Sequence, residues 1–478
     1  MSQTKLTRRA WLQRSGGLAA GALGATGLGS LLLGARPAYA ADYKALVCVF
    51  LYGGCDGMNL VVPTDLARHN QYSAVRGPLA LPRGSLVGLA GSDYGLHPAL
   101  QALQPFWNDQ SLAPVFNLGP LAAPLTKAQY LAEPDGSPLI PDALFSHSDQ
   151  QTQWETASTD TLSRTGWGGR ASSALGTVNP VISVGGNGRF GVETLRTPLV
   201  LPGPGENFGA YGLRPEDTVW TPNRLRREAI DALYAEPQGP VLADAYRGQQ
   251  ATAFEMSERL AGIVGSVPGD AGSSPEIDSA FAPLIVNGQV SGDLARQLYQ
   301  VAKLIRSNAQ VQGNRQIFLA QAGGFDTHSG QVAADDATAG LHAGLLRGLG
   351  DALAAFQRAM QNLGLAGAVT TFTQSDFGRT FAPNSTLGTD HAWGNHQLVL
   401  GGSVKGRLTY GRYPELVLGG PDDVGVESWE LQGRWLPGSS VDQYAATLLA
   451  WFGATSAQLD SILPHLPNFG SARNMGFV

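Results

Sequence analysis

Residues Lys44 to Pro63, KALVCVFLYGGCDGMNLVVP, constrain the fold of this chain more than any other stretch. Ala45 to Tyr52 is an unbroken apolar run rich in Val, Leu and Phe. A run without polar alternation predicts a strand buried on both faces, as in the middle of a parallel sheet. The Gly53-Gly54 pair that ends it lets the backbone turn sharply and approach a ligand closely, and Asp56 and Asn59 follow at once. Ligands of open α/β sheets gather beyond the carboxyl ends of the strands, which makes Asp56 a site candidate by position. The design recurs twice. Arg315 to Gln321, RQIFLAQ, leads into Ala322-Gly323-Gly324-Phe325-Asp326-Thr327-His328, and Ala368 to Thr373, AVTTFT, leads into Gln374-Ser375-Asp376-Phe377-Gly378-Arg379-Thr380. Three apolar strands are thus expected to deliver an aspartate each to one edge of one sheet.

The first 40 residues read differently. Thr7-Arg8-Arg9-Ala10-Trp11-Leu12 is a twin-arginine pattern, followed by a Gly/Ala/Leu-rich run from Gly16 to Gly34 and by Ala38-Tyr39-Ala40. A basic start, a weakly apolar middle and a small-x-small end predict a removable export signal over residues 1–40, read by the twin-arginine route, and hence a periplasmic or extracellular protein with no transmembrane anchor after cleavage. That segment holds Lys5, Arg8, Arg9, Arg14 and Arg36 and no acid. Taking those five from the 32 Lys and Arg leaves 27 against 38 acids, net −11. Such a surface repels phosphate backbones and excludes nucleic acid as the expected partner. The two cysteines, Cys48 and Cys55, sit in the opening strand and its loop and read as buried thiols rather than a disulfide framework.

Further along, helical spacing is expected at Leu96 to Asp109, in the second half of Asp142 to Ala157, at Pro222 to Ala235, Val241 to Val264, Ser291 to Ser307, Ala333 to Leu363 and Val441 to Phe452, with strands at Leu112 to Leu118 and Asn179 to Val184. Ser148 with Gln151 three residues on fits a capping box, which leaves Ser146 and His147 just outside that helix and freer for chemistry. Residues 41–478 read as a single domain with a helical insertion around 222–310. The order strand, helix, strand after Asp326 is the crossover of a parallel sheet.

The chemistry concentrates beyond the second and third strands. After Asp376 and Arg379 comes Gly388-Thr389-Asp390-His391-Ala392-Trp393-Gly394-Asn395-His396, so three of the eight histidines, His328, His391 and His396, fall in these loops. Carboxylate and neutral imidazole are ligands for zinc, manganese or iron, and the set Asp56, Asp326, His328, Asp376, Asp390, His391 and His396 could supply one or two divalent ions. Each residue also has a structural reading when taken singly. An Asp after a glycine turn can satisfy backbone N–H groups, Asp390-His391 can be a hydrogen-bonded pair, and Arg379 can be salt-bridged. Their convergence at strand ends is what points to a metal or anion site.

The twin-arginine leader with GGCDGMNLVVP, GGFDTHSGQ, SDFGRT and GTDHAWGNH followed by LVLGGSVKG resembles the exported bacterial family called domain of unknown function 1501, which is grouped with alkaline phosphatase-like and sulfatase-like metalloenzymes. The resemblance implies an alkaline phosphatase-like α/β fold, with a mainly parallel central sheet flanked by helices on both faces and a two-metal site at the strand ends. It implies Asp56 as the first metal aspartate, Asp326 and His328 on one ion, Asp376 on the other, and His391 or His396 as the late histidine. Ser146 is the positional match for the nucleophile, and Arg379 would bind the anion. The implied activity is metal-dependent hydrolysis of small anionic phosphate or sulfate esters, with zinc the first candidate ion and manganese, calcium or iron the others. The alternative is a catalytically degenerate periplasmic member that binds a ligand or a protein. Phe377 departs from the pattern, because active phosphatases carry Asp-His together at that point.

Overall fold

The computed structural model describes residues 42–134, 136–214, 216–236 and 239–478; the expected export signal lies outside them. The first strand, β1 (Lys44–Leu51), is fully buried from Ala45 onward, as its unbroken apolar run requires. Its side chains alternate between two cores. Ala45, Val47, Val49 and Leu51 pack on one side, with residues of helices described below, while Leu46, Cys48 and Phe50 pack on the other.

Around β1 the sheet is completed by β2 (Leu112–Gly119), β3 (Ile182–Ser183), β4 (Leu199–Val200), β5 (Arg315–Ala322), β6 (Val369–Ser375), β7 (Asn395–Gly401) and β8 (Ser439–Ser440). Its order is β8-β2-β7-β6-β1-β5-β3-β4. β1 runs parallel to both β5 and β6, β5 to β3, β3 to β4 and β8 to β2. Only β7 opposes its neighbours, β6 and β2. The cause is connectivity: residues 376–394 join β6 to β7 without a helix that could carry the chain back across the sheet. A connection that long without secondary structure is usually functional.

Eight helices bear on the argument: α1 (Gly57–Leu60), α2 (Leu66–Arg76), α3 (His147–Thr156), α4 (Thr221–Ala235), α5 (Val241–Val264), α6 (Asp293–Arg306), α7 (Leu341–Asn362) and α8 (Val441–Phe452). Helices α6 and α7 cover one face of the sheet through Leu298, Val301, Leu346 and Leu353, and α8 covers the other through Tyr444, Leu448 and Leu449. Mixed α/β architecture with a mainly parallel sheet therefore follows as the sequence predicts. Within the segment expected as an insertion, α4 buries no residue, whereas α6 belongs to the central core. The two are tied through α5: Arg227 on α4 pairs with Glu258 on α5 at 2.5 Å, and the buried ammonium of Lys303 on α6 donates to the carbonyls of Ile263 at 2.8 Å and Ser266 at 2.5 Å, closing the C-terminal end of α5. No helix among the described residues is long and apolar enough to cross a membrane. Cys48 and Cys55 are both free and buried.

Two expected helices differ. The helix expected from Ala333 begins at Leu341, because Asp336 captures the N–H of Thr338 at 2.8 Å and holds a turn ahead of it. The stretch expected as one helix from Leu96 is a strand, a 3-10 segment at Pro98–Leu103 and a short helix at Gln104–Asn108, each of the last two with a proline in its first two positions.

Candidate metal centre

Leu51 is paired with Ala322 on one side and with Ser375 on the other, so β1, β5 and β6 end level and release their loops side by side. Gly53 and Gly54 make that edge close. Gly53 has φ +111° and a Cβ there would stand 2.4 Å from the Asp326 nitrogen; Gly54 has φ +78° and its Cβ would meet the Phe377 ring at 2.5 Å. The loops are clamped by Arg379, which is completely buried. Its Nε donates to Gly54 O at 2.8 Å, its Nη1 to Thr389 O at 3.2 Å, and its Nη2 to Phe325 O at 3.1 Å, to Asp326 Oδ1 at 2.5 Å and to Gly53 O. The guanidinium thus bonds four backbone carbonyls and a carboxylate, and the role of anion binder expected for Arg379 is corrected to that of a clamp.

Asp326 is the centre of the arrangement. Its Oδ1 lies 3.0 Å from His328 Nε2, 3.3 Å from His147 Nε2 and 3.5 Å from His391 Nε2. The ligand atoms of His147, Asp326 and His391 all fall within 4.8 Å of one another, and His328 Nε2 is 2.8 Å from His391 Nε2. The other nitrogen of each ring is tied down. His147 Nδ1 is 2.7 Å from Asp376 Oδ2, His328 Nδ1 is 2.8 Å from Asp390 Oδ1, and His391 Nδ1 donates to Phe145 O at 2.6 Å. Phe145 presents that carbonyl from a left-handed backbone, φ +73°, which an aromatic residue seldom adopts. The Phe377 ring packs 4.7 Å from His147 and 4.5 Å from His391, so the residue standing in place of a histidine supports two others.

A carbonyl or a carboxylate can only accept, so each Nδ1 carries a proton, and each ring in its neutral form turns an Nε2 lone pair inward. Three such lone pairs and one carboxylate around a single point are the donor set of a borderline divalent ion, with outer partners that fix tautomer and orientation. Imidazole nitrogen in that number disfavours calcium, which takes oxygen ligands. Electrostatics favour the charged Asp326 and the neutral His391, and act the other way on His147. Burial pushes the Asp326 carboxyl up, but the hydrogen bond and charge of Arg379 outweigh it and hold the group below the usual carboxylate range. The hydrogen bond to Asp376 raises the His147 pKa, and burial lowers that of His391.

Of the expected ligands, the structure brings Asp326, His328 and His391 together and moves the rest outward or away. Asp376 is fully buried and occupied: it accepts from the Gly53 N–H at 3.1 and 3.2 Å and from Gln151 at 2.8 Å besides holding His147. Asp390 orients His328. Asp56 is elsewhere: it caps α1 through the Met58 N–H at 3.1 Å, and its other oxygen accepts from Arg76 on α2 and from Gln331. Every one of its contacts is structural, so its expected place as first metal aspartate is corrected. His396 lies inside β7 among Phe116, Tyr413 and Trp435, with Nδ1 accepting from the Asn117 N–H at 3.1 Å; burial lowers its pKa to about 3. It too is not part of the cluster.

His147 joins the ligand set from outside the three strand ends. Helix α3 starts at His147, two residues ahead of the expected box, so Ser146 is the N-cap residue and Ser148 sits within the first turn. Ser146 Oγ donates to Asp149 Oδ2 at 2.5 Å, not to an imidazole of the cluster.

Solved structures that match this chain include two of low similarity. One is described as "Crystal structure of Ps i-CgsB in complex with k-i-k-neocarrahexaose" and the other as "Crystal structure of Ps i-CgsB". Both are 11% identical and cover 89% of this chain and 77% of the other, with TM-scores of 0.31 and 0.30. No curated protein matches. Residues 270–424, which carry Asp326, His328, Asp376, Arg379, Asp390 and His391, match the family model described as "Protein of unknown function (DUF1501)".

Proposed function

We propose that the chain is an exported, metal-dependent hydrolase of phosphate or sulfate esters on an alkaline phosphatase-like fold. The observation that carries this reading is the convergence of three imidazole Nε2 atoms on one oxygen of Asp326, each ring tied at its other nitrogen. Asp326, His147, His328 and His391 would hold one ion, zinc before manganese or iron. Bound there, it would supply Lewis acidity toward an anionic ester. The chain's own groups do the rest of the placing. Arg379 fixes the Asp326 carboxylate, and Asp376 and Asp390 fix His147 and His328. Ser146, next to His147 at the helix start, would act as nucleophile once released from Asp149; a water molecule takes that part if it does not.

Metal analysis of protein purified without chelators, followed by assay on a panel of phosphate and sulfate mono- and diesters, tests the proposal. The expected result is about one zinc-type ion per chain and turnover of at least one ester class. A metal-loaded protein that turns over none of them supports the binding-only alternative, and a protein that retains no metal overturns both the site and the reaction. Ser146→Ala separates the two nucleophiles: near-complete loss of turnover with metal retained identifies the serine. Export by the twin-arginine route is tested by replacing Arg8 and Arg9 with Lys, which should leave folded precursor inside the cell.

A further inference from the structure

Helix α3 continues away from the cluster with a second row of chemistry. His147, Gln151 and Glu155 recur at every fourth position and therefore share one face, and a rise of about 1.5 Å per residue puts Glu155 about 12 Å along the axis from His147. His147 belongs to the cluster and Gln151 donates its Nε2 to Asp376 at 2.8 Å. Glu155 accepts from the Tyr52 hydroxyl at 2.9 Å and from the Arg189 N–H at 3.0 Å. Beside this face lies an open cleft of about 590 Å³, lined by Tyr52, Gln151, Glu155, Asn187, Gln321 and Gly323 among others.

The lining decides what such a cleft can hold. Among the described residues the side-chain amides of Asn187 and Gln321 have no hydrogen-bond partner, and Gln151 leaves its Oε1 free, so donors and acceptors both face the space. The one guanidinium of the wall, that of Arg189, gives its Nη1 to Ser163 O at 2.7 Å, and its charge acts on the neighbouring Glu155 carboxyl, which leaves less of it for an anionic group. The Tyr52 ring, held 4.3 Å from that of Phe50, offers a face for stacking. No side chain projects from Gly323, which has open space where a Cβ would stand. Mixed amides, an aromatic face and a single cation offset by the Glu155 carboxyl match a neutral, hydroxyl-rich ligand and disfavour a lipid chain or a polyanion.

We propose that this cleft binds the neutral polyhydroxylated body of the substrate, a saccharide unit, and lays it along α3 with its ester group at the Asp326 cluster. The placement of the ester rests on the hydrolase reading; binding of the saccharide does not. Saturation-transfer NMR of the mature, metal-loaded chain with maltose, cellobiose and lactose tests the binding alone. Ring-proton signals are expected from at least one of the three, and they should fall by about fivefold or more in an Asn187→Ala/Gln321→Leu double variant whose metal content and unfolding midpoint are unchanged. No signal from any of the sugars, or signals the variant leaves intact, overturns the proposal. Kinetics give the second reading: the variant should raise KM about tenfold for a hexose 6-sulfate or 6-phosphate, keep kcat, and leave 4-nitrophenyl sulfate or phosphate unaffected. Equal effects on both kinds of ester also overturn it. Saccharide binding without turnover of any ester keeps the cleft and removes the hydrolase reading.

Discussion

His328 and His391 meet Nε2 to Nε2 at 2.8 Å, with both Nδ1 atoms already committed, one to Asp390 and the other to Phe145 O. Two neutral rings in those tautomers oppose lone pair to lone pair, a contact that only a cation or an added proton makes favourable. The position of Asp390 then has a measurable consequence. Asp390→Asn keeps the shape but weakens the pull on the His328 proton, and metal affinity should fall by about 10–100-fold in competition with a chelator. The unfolding midpoint of the metal-free protein should stay where it was, because the Asp390 side chain is partly exposed. Unchanged affinity would put the ion somewhere other than between these rings.

Asp56 gives the opposite expectation. It and Arg76 form an ion pair with no exposure on either side chain, and Arg76 also donates to Thr380 O at 2.9 Å and Phe381 O at 3.2 Å. Removing the carboxylate charge leaves a guanidinium buried without its counter-ion. Asp56→Asn should cost about 3–5 kcal/mol in denaturant unfolding and leave metal content at wild-type level. Loss of metal with stability unchanged would return Asp56 to the ligand set.

These two aspartates mark how far the sequence could be read. Three apolar runs ending in glycine and aspartate predict three buried parallel strands with level ends, and β1, β5 and β6 follow that pattern because strand burial and glycine turns are local physics. The same local pattern could not separate Asp326, aimed into the cluster, from Asp56, aimed at Arg76, because the partner of Asp56 comes from a helix 20 residues on. His396 was indistinguishable from His391 by spacing, yet the alternation of β7 turns it into an aromatic core. His147 carried a weak signal, an imidazole at a helix start beside Ser146. Its assignment needed the packing of α3 against the strand ends, which no period in the chain encodes. Arg379 looked like an anion-binding residue only while its carbonyl partners, scattered from Gly53 to Thr389, were unknown.

Asp442, in the first turn of α8, gives the fold a pH dependence. Burial pushes its carboxyl up to about 7 even though Oδ1 accepts the His465 N–H at 3.2 Å. The unfolded chain releases that proton near pH 4, so between about pH 4 and pH 7 the folded state holds more protons than the unfolded one, and stability falls as pH rises across this window. Above it the loss is complete. Asp442→Asn keeps an acceptor for the His465 N–H without a charge to bury. The variant should flatten the unfolding midpoint against pH, gaining about 2–4 kcal/mol over wild type at pH 8 and little at pH 4. A wild-type midpoint that does not decline between those values would show that Asp442 ionises freely in the fold.

Arg379 joins the fold to the site, and its replacement should disturb both at once. A lysine retains the charge but cannot reach the carbonyls of Gly53, Gly54, Phe325 and Thr389 as one planar fork does. Carbonyls left without donors in a buried setting cost about 1–3 kcal/mol each, so Arg379→Lys should lower stability by roughly 3 kcal/mol or more. Asp326 would also lose the contact that orients it, and metal affinity should drop with the stability. An arginine that served to bind a substrate anion would behave otherwise: lysine would preserve metal content and unfolding midpoint and raise only the KM for the ester. Measuring the three quantities on one variant therefore separates a clamp from a substrate contact, and retention of both metal and midpoint would restore the anion-binding role.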